Sequence, residues 1–506
     1  APGRTILLKG GTYALDKTVI VERGVNGTAD AKIYMIADPE AATRPVLDFQ
    51  GRCAGMILAG DYWYFQGFDV TRSANAQKGI QVSGSYNTVD NVMTYRNGNT
   101  GLQISRYKST DNWEDWPSHN LILNCTSYLN ADAGYEDADG FAAKLTVADG
   151  NVFDGCIAAY NADDGWDLFA KVETGAIGQV TIQNSVAFKN GYVLDANGQE
   201  VDAGNGNGFK MGGSSISGRH ILRNSVSFGN KAKGIDSNSC PDIQVYASTS
   251  YNNESYNVAL YTNDAKNTAF IAQGILSFKD SANAAEELIA EQFKPKGTQE
   301  TSAYENAANY YWGGENATNS EGIAAAADWF RNLDMNSAIH GGIHRNANGI
   351  INMNGFLEVT GKVPEGVGAR MTGTASDVIT VNTDVDREDN DDNNSGTSST
   401  AASTVDWNDV SSSVQNKVAE MLQNPAIASV NMNFVCSGEV KVPQNVLNTI
   451  KGTKLTVAFP FRKVCDNCAF QISSLRFILL SVYPRRLWLA MLVESVMFHG
   501  MEICVL

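Results

Sequence analysis

The chain has 506 residues, enough for a large core and more than one unit. Its 11 prolines and 47 glycines exclude a collagen-like or wholly disordered chain. A formal net charge of −17 argues against nonspecific nucleic-acid binding, which needs a basic face. It leaves an anionic substrate open, because a divalent cation reverses the local field.

Residues 1–90 read as short strands between Gly, Asn and Asp turns. The runs are Ile6-Leu7-Leu8, Thr18–Val21, Lys32–Ile36, Pro45–Phe49, Gly55–Leu58 and Trp63–Val70. One phrase then recurs six times, as Asn91–Asn97, Asn124–Asn130, Gly155–Asn161, Asn184–Asn190, Asn224–Asn230 and Ala247–Asn253. Each copy ends on asparagine and leads into a loop of variable length, which is the mark of a β-type solenoid. The shared place of Asn97, Asn130, Asn161, Asn190, Asn230 and Asn253 predicts an inward ladder of stacked amides bonded to one another.

Residues 281–345 break the pattern with Ala/Glu-rich helical sequence around Ala284–Ala290 and Asn-rich loops, and a final coil or docking segment ends near residue 385. The expected division is a coil domain over 1–385, an acidic Ser/Thr-rich linker over 386–405, a small appended module over 406–460 with an amphipathic helix at Val414–Leu422, and an apolar tail over 461–506. The tail's two apolar runs, Leu475–Tyr483 and Leu487–Val493, fall short of the ~18–20 residues that span a bilayer. It reads as a re-entrant anchor or an aberrant, out-of-frame extension. The opening Ala1-Pro2-Gly3-Arg4 has no basic start followed by an apolar run and reads as a truncation.

Eight cysteines form no dense framework. Cys125 and Cys156 share a column of adjacent repeats and read as stacked core thiols rather than a disulfide. Cys465 and Cys468 have redox or zinc spacing without a second ligand pair.

Parallel strands of successive coils stack at ~4.8 Å, so equal positions touch. The strands after the loops begin at Gly101, Gly140, Gly165, Gly208 and Gly234. The column before the glycine reads Thr100, Asp139, Asp164, Asn207, Lys233. The column two after it reads Gln103, Ala142, Asp167, Lys210, Asp236. Asp139 therefore lies over Asp164, with Asp163 and Asp167 beside them. Four carboxylates that close repel, and a hard cation with oxygen ligands relieves this; calcium suits an irregular carboxylate cage. The alternative for any single aspartate is an exposed turn. Lys210, next along the Asp167 column, reads as a base whose pKa is lowered by a nearby bound cation and a partly dry groove, or as a structural ion pair with Asp167 or Asp236. Lys233 reads as a holder of a substrate carboxylate or as a solvated lysine.

Asp137–Ala142, Asn161–Phe169, Gly206–Gly213 and Asn230–Asn238 resemble the pectate lyases of polysaccharide lyase family 9. Gly10–Tyr13 and Pro45–Phe49 fit as well, and the resemblance covers about residues 1–375. It implies a right-handed parallel β-helix with inward asparagine ladders. It also implies Ca2+ held by the residues matching Asp139, Asp163, Asp164 and Asp167, and a catalytic lysine matching Lys210. Ile235 and Ser237 depart from the usual Phe and Gln.

The expected protein is thus all-β, a right-handed parallel β-helix with a small appended C-terminal module. The expected activity is calcium-dependent β-elimination on polygalacturonate, an anionic polysaccharide. A monomer in a secreted or extracellular setting is expected, with no nucleic-acid partner and no membrane span. The alternatives are a polygalacturonase-like hydrolase, for which no Gly-His-Gly element is found among the five histidines, and a noncatalytic binding solenoid.

Overall fold

Two sharp corners per repeat set the architecture. The first residue of each repeat (Asn91, Asn124, Gly155, Asn184, Asn224, Ala247) has φ between 42° and 66°. The sixth (Arg96, Leu129, Tyr160, Lys189, Gly229, Asn252) has φ between 45° and 58°. Left-handed backbone is favoured by Gly and tolerated by Asn, which explains the Asn/Gly bias at the first corner. Between the corners lies a three-residue strand rich in β-branched and aromatic residues, such as Met93–Tyr95, Val186–Phe188 and Val226–Phe228.

The computed structural model describes residues 1–280, 291–311 and 319–379, together with the strands Val430–Asn433, Leu455–Ala458, Arg476–Leu480 and Trp488–Leu492. Residues Ala1–Thr383 form one compact unit and Asp384–Leu506 a second. The first unit is a parallel β-helix of three 10-stranded sheets. The first sheet runs from Thr5–Leu8 to Ile271–Gln273, the second from Gly11–Ala14 to Leu276–Phe278, the third from Val19–Val21 to Glu291–Lys294. Residues 1–90 are early coils, as their strand runs indicate. The strand Gly11–Ala14 and the antiparallel hairpin Tyr192–Leu194 with Glu200–Asp202 add to the expected set.

The core lies inside the coils. Phe65, Phe68, Phe141, Phe153, Trp166 and Phe209 are fully buried there. Phe141, Trp166 and Phe209 stack with centroids 4.9 Å apart, at the coil repeat. The asparagine ladder is continuous. Asn97 Nδ2 donates to Asn130 Oδ1 at 3.0 Å, and each later step, through Asn161, Asn190 and Asn230 to Asn253, is 2.8 or 2.9 Å. Asn257 terminates it at 3.1 Å. A second, shorter ladder at the start of the first-sheet strands joins Asn120 Nδ2 to Asn151 Oδ1 at 2.9 Å, with Asn120 Oδ1 accepting from Asn87 N–H at 3.0 Å.

Residues beyond the coils dock on the outer face of the second sheet. Phe330, Ile351, Met353, Phe356 and Leu357 pack there against Val226, Phe228 and Tyr251. The Arg345 guanidinium donates to Cys125 O at 2.7 Å and Gly155 O at 2.8 Å. The chain then runs back along the corners. Ala369 N donates to Thr249 Oγ1, Arg370 N to Asn224 Oδ1, Thr374 Oγ1 to Asp154 Oδ2 and Ser376 Oγ to Asp90 Oδ1.

Cys125 and Cys156 are buried free thiols, donating to Val89 O and Ile122 O at 3.3 Å. In the second unit Val430–Asn433 pairs in parallel with Leu455–Ala458. The two apolar runs of the tail form an antiparallel pair, Arg476–Leu480 with Trp488–Leu492. No helix among the described residues is long and apolar enough to cross a membrane. The linker 386–405, the helix expected at Val414–Leu422, the Ala/Glu-rich run Ala284–Ala290, Cys465, Cys468 and His499 lie outside the described residues.

Candidate active site

The glycine that opens each third-sheet strand packs against the ladder. A Cβ on Gly140 would stand 2.7 Å from Asn161 Nδ2, and one on Gly165 would stand 2.8 Å from Asn190 Nδ2. Only glycine fits, so the backbone is drawn inward there. The residue before it, Asp139 or Asp164, sits at the corner between ladder and strand. Both columns read from the sequence hold in the structure. Phe141 pairs with Trp166 and Trp166 with Phe209, which sets Ala142 over Asp167 and Asp167 over Lys210. The column continues to Asp236.

Asp139, Asp164 and Asp167 bring one carboxylate oxygen each to within 4.8 Å of one another, and all three are buried. Thr100 Oγ1 donates to Asp139 Oδ2 at 3.1 Å. Asn207 donates to Asp164 Oδ1 twice, from backbone N at 2.7 Å and from Nδ2 at 2.8 Å. Asp163 stands beside this trio, with Oδ1 accepting from Asn205 N at 3.1 Å.

Two ammonium groups enter the cluster. Lys144 Nζ donates to Asp139 Oδ2 at 2.7 Å and to Asp167 Oδ2 at 2.9 Å. Lys210 Nζ lies 2.9 Å from Asp164 Oδ2 and 3.6 Å from Asp167 Oδ1. The first of these is a charge contact without hydrogen-bond alignment, because Asp164 Oδ2 has no donor. Lys144 was not singled out from the sequence. It lies four residues after Gly140, just past the strand Phe141–Ala143, beyond the columns that were compared.

The electrostatics follow from burial and crowding. Burial raises the Asp139 carboxyl to about 7, with Lys144 opposing and Asp167 and Asp164 adding to the rise. Burial and the charges of Asp164 and Asp139 push Asp163 up to about 9. Asp167 stays below its ordinary value despite burial, because Lys144 and Lys210 face it. The lowered Lys210 pKa expected from the sequence belongs to the cation-bound site. Burial disfavours the Lys210 ammonium, but Asp164, Asp167, Asp139 and Asp163 together hold its pKa well above the ordinary value rather than below it. A lowered value requires a cation to neutralise those carboxylates. Lys233 donates to Asp236 Oδ2 at 3.0 Å and lies 5.3 Å from the centre of the Tyr261 ring.

The donor set fits a hard divalent cation. All donors are carboxylate oxygens, one of which, Asp164 Oδ2, is buried without a hydrogen bond. With all four carboxylates ionised, the two ammonium groups of Lys144 and Lys210 leave two negative charges, the amount such an ion balances.

The family described as Pel9A-like, right-handed β-helix region, matches residues 1–268. A pectate lyase L from Paenibacillus polymyxa (strain SC2) is 42% identical over 366 residues, covering 71% of this chain and 75% of that protein. A pectate lyase L from Thermoclostridium stercorarium is 43% identical over 276 residues, covering 54% of this chain but only 22% of that protein. A solved structure of the pectate lyase Pel9A superposes with a TM-score of 0.54 at 30% identity, covering 75% of this chain and 85% of that one. With its three parallel sheets, its ladder and its acidic corner in register, the chain belongs to the Pel9A-like right-handed β-helix family, the pectate lyases of polysaccharide lyase family 9.

Proposed function

We propose that this chain is a calcium-dependent pectate lyase that cleaves 4-linked galacturonan by β-elimination. The observation that carries the reading is the pairing of Asp167 with Lys210 in adjacent coils, which sets an amine against a buried, cation-sized carboxylate cluster on the outer face of the third sheet.

Asp139, Asp164 and Asp167 would hold the calcium ion, with Asp163 beside them. When bound, the ion neutralises the cluster and stabilises negative charge on a substrate carboxylate. The remaining work falls to the protein's own groups. A neutral Lys210 amine takes the C5 proton, which the adjacent carboxylate of the uronate makes acidic. The electron pair left at C5 becomes the C4–C5 double bond as the bond from C4 to the glycosidic oxygen breaks. That oxygen acquires a proton and leaves as the new chain end, and the other fragment carries a 4,5-unsaturated ring. Burial of Lys210 favours the neutral amine, and the carboxylates oppose it. Their neutralisation therefore links the metal site to the base. The Lys144 ammonium keeps Asp139 and Asp167 oriented.

A hydrolase would need two carboxylates on opposite faces of the bond, with about 6.5–9.5 Å between them for inversion. Here the three carboxylates bunch within 4.8 Å, too close for inversion and near the ~5–5.5 Å of a retaining pair, but each is bound to a lysine, which leaves no free acid and nucleophile and favours elimination. We assign this activity to the coil unit. A secreted location belongs to the same proposal, since a long anionic polysaccharide does not cross membranes. The test is incubation with polygalacturonate, with calcium or with chelator, and optical detection of the unsaturated ring. Product that appears only with calcium supports the reading; none in either condition refutes it.

A further inference from the structure

The column that holds Asp139 and Asp164 starts one coil earlier than Thr100. Ile80 pairs with Leu102, so Gly79 matches Gly101 and Lys78 matches Thr100. From Lys78 the column reads Lys78, Thr100, Asp139, Asp164, Asn207, Lys233. A lysine therefore stands two coils, about 9–10 Å, from the acidic pair on each side.

The two lysines differ in their surroundings. Lys233 is neutralised by Asp236 at 3.0 Å and covered by the Tyr261 ring. Lys78 is partly buried and makes no side-chain hydrogen bond or ion pair among the described residues. The charges that act on it belong to the same groove, Lys144 and Asp137. A partly desolvated cation without a counter-ion is costly unless an anion visits it.

Gln103 adds a second unpaired group. It faces outward between Leu102 and Ile104, which are core residues, and sits in the Asp167 column two coils before it. Its side-chain amide has no hydrogen bond among the described residues and keeps contact with solvent, although the residue as a whole is 5% exposed. The matching glutamine one coil earlier, Gln81, is tied to Ser83 Oγ and Arg106 O. An ammonium and an amide without a protein partner thus stand in the two coils immediately before the acidic cluster.

We propose that Lys78 and Gln103 form an anion subsite on the N-terminal side of the cluster, which takes the carboxylate of a uronate unit neighbouring the one that reacts. This rests on the lyase reading given above. The ammonium binds the carboxylate and the amide bonds a carboxylate or hydroxyl oxygen of the same unit. The subsite selects for an unesterified unit at that position and for chains long enough to reach it.

The experiment is steady-state kinetics of wild type, Lys78→Met, Lys78→Arg and Gln103→Leu on oligogalacturonates of increasing length, with thermal melts to confirm folding. The expected result is a KM for Lys78→Met raised by about tenfold on long oligomers, falling toward the wild-type value on the shortest one cleaved. Turnover at saturation changes less than KM, Lys78→Arg recovers most of the loss, and Gln103→Leu shows a smaller effect of the same kind. A KM for Lys78→Met equal to wild type at every length, or raised equally at every length, overturns the subsite. A wild type that gives no unsaturated product on any of them overturns the lyase reading, and the subsite falls with it.

Discussion

Lys144 Nζ bridges Asp139 and Asp167, two carboxylates from neighbouring coils, at 2.7 and 2.9 Å. The bridge holds together the two sides of the cluster while Lys210 touches Asp164 from the next coil. One lysine therefore clamps two carboxylates at hydrogen-bond distance, and the other contacts the cluster without a hydrogen bond. This division of labour yields distinct expectations for the two residues.

Lys210→Ala should lower turnover by about 10²–10⁴-fold, the usual worth of a positioned general base. Lys210→Arg should be nearly as poor, because a guanidinium stays protonated. Calcium affinity by calorimetry should survive both changes. A Lys210→Ala enzyme with wild-type turnover removes the assignment.

Asp164→Ala or Asp167→Ala should weaken calcium binding severely and abolish the rise in melting temperature that calcium gives the wild type. Lys144→Met should also disturb the site, since Asp139 and Asp167 lose their shared partner and repel. The check is a set of melting curves with and without calcium. Wild-type calcium response in Asp167→Ala contradicts the ligand set.

Asp139 and Asp163 have folded-state pKa values raised to about 7 and about 9. A raised carboxyl contributes stability at low pH and loses it as pH climbs from the unfolded value to the folded one. Without calcium, the melting temperature should therefore fall between about pH 4 and pH 9, and Asp163→Asn should flatten that fall. Calcium affinity should weaken as pH drops through the same window, with protons released on binding. Calorimetry in buffers of different ionisation enthalpy measures that release.

Asn161 donates to Asn190 Oδ1 at 2.9 Å and Ser127 O at 3.1 Å, and accepts from Asn130 Nδ2 at 2.8 Å. Asn161→Leu leaves these groups buried and unpaired, at about 1–3 kcal/mol each. A clear drop in melting temperature is expected, larger than for a truncation at exposed Tyr135. Equal effects would mean that the ladder carries little stability.

Much of the coil body was legible because its period is explicit. Six matched phrases fixed which residues stack, and the shared asparagine predicted the ladder that the structure contains. The same register brought Asp139, Asp164, Asp167 and Lys210 together from residues up to 71 positions apart. What escaped lay outside the compared columns. Lys144 follows its strand, and Lys78 precedes the first recognised repeat, so neither had an aligned neighbour to call attention to it. The strength with which four buried carboxylates hold the Lys210 proton in the absence of a cation was not legible either, because it depends on their sum rather than on any one contact. The docking of residues 330–377 along the second sheet depends on the aromatic column Phe188, Phe228, Tyr251 and Phe278. In the sequence that column looks like any strand-borne aromatic series.

Cleavage of polygalacturonate in oxygen-18 water, followed by mass spectrometry of the fragments, tests the central claim most directly. Elimination by Lys210 breaks the bond from C4 to oxygen without adding water, so every new chain end should be free of the label and its partner should carry a C4–C5 double bond. Fragments that carry the heavy oxygen and a saturated ring would show hydrolysis and contradict the account.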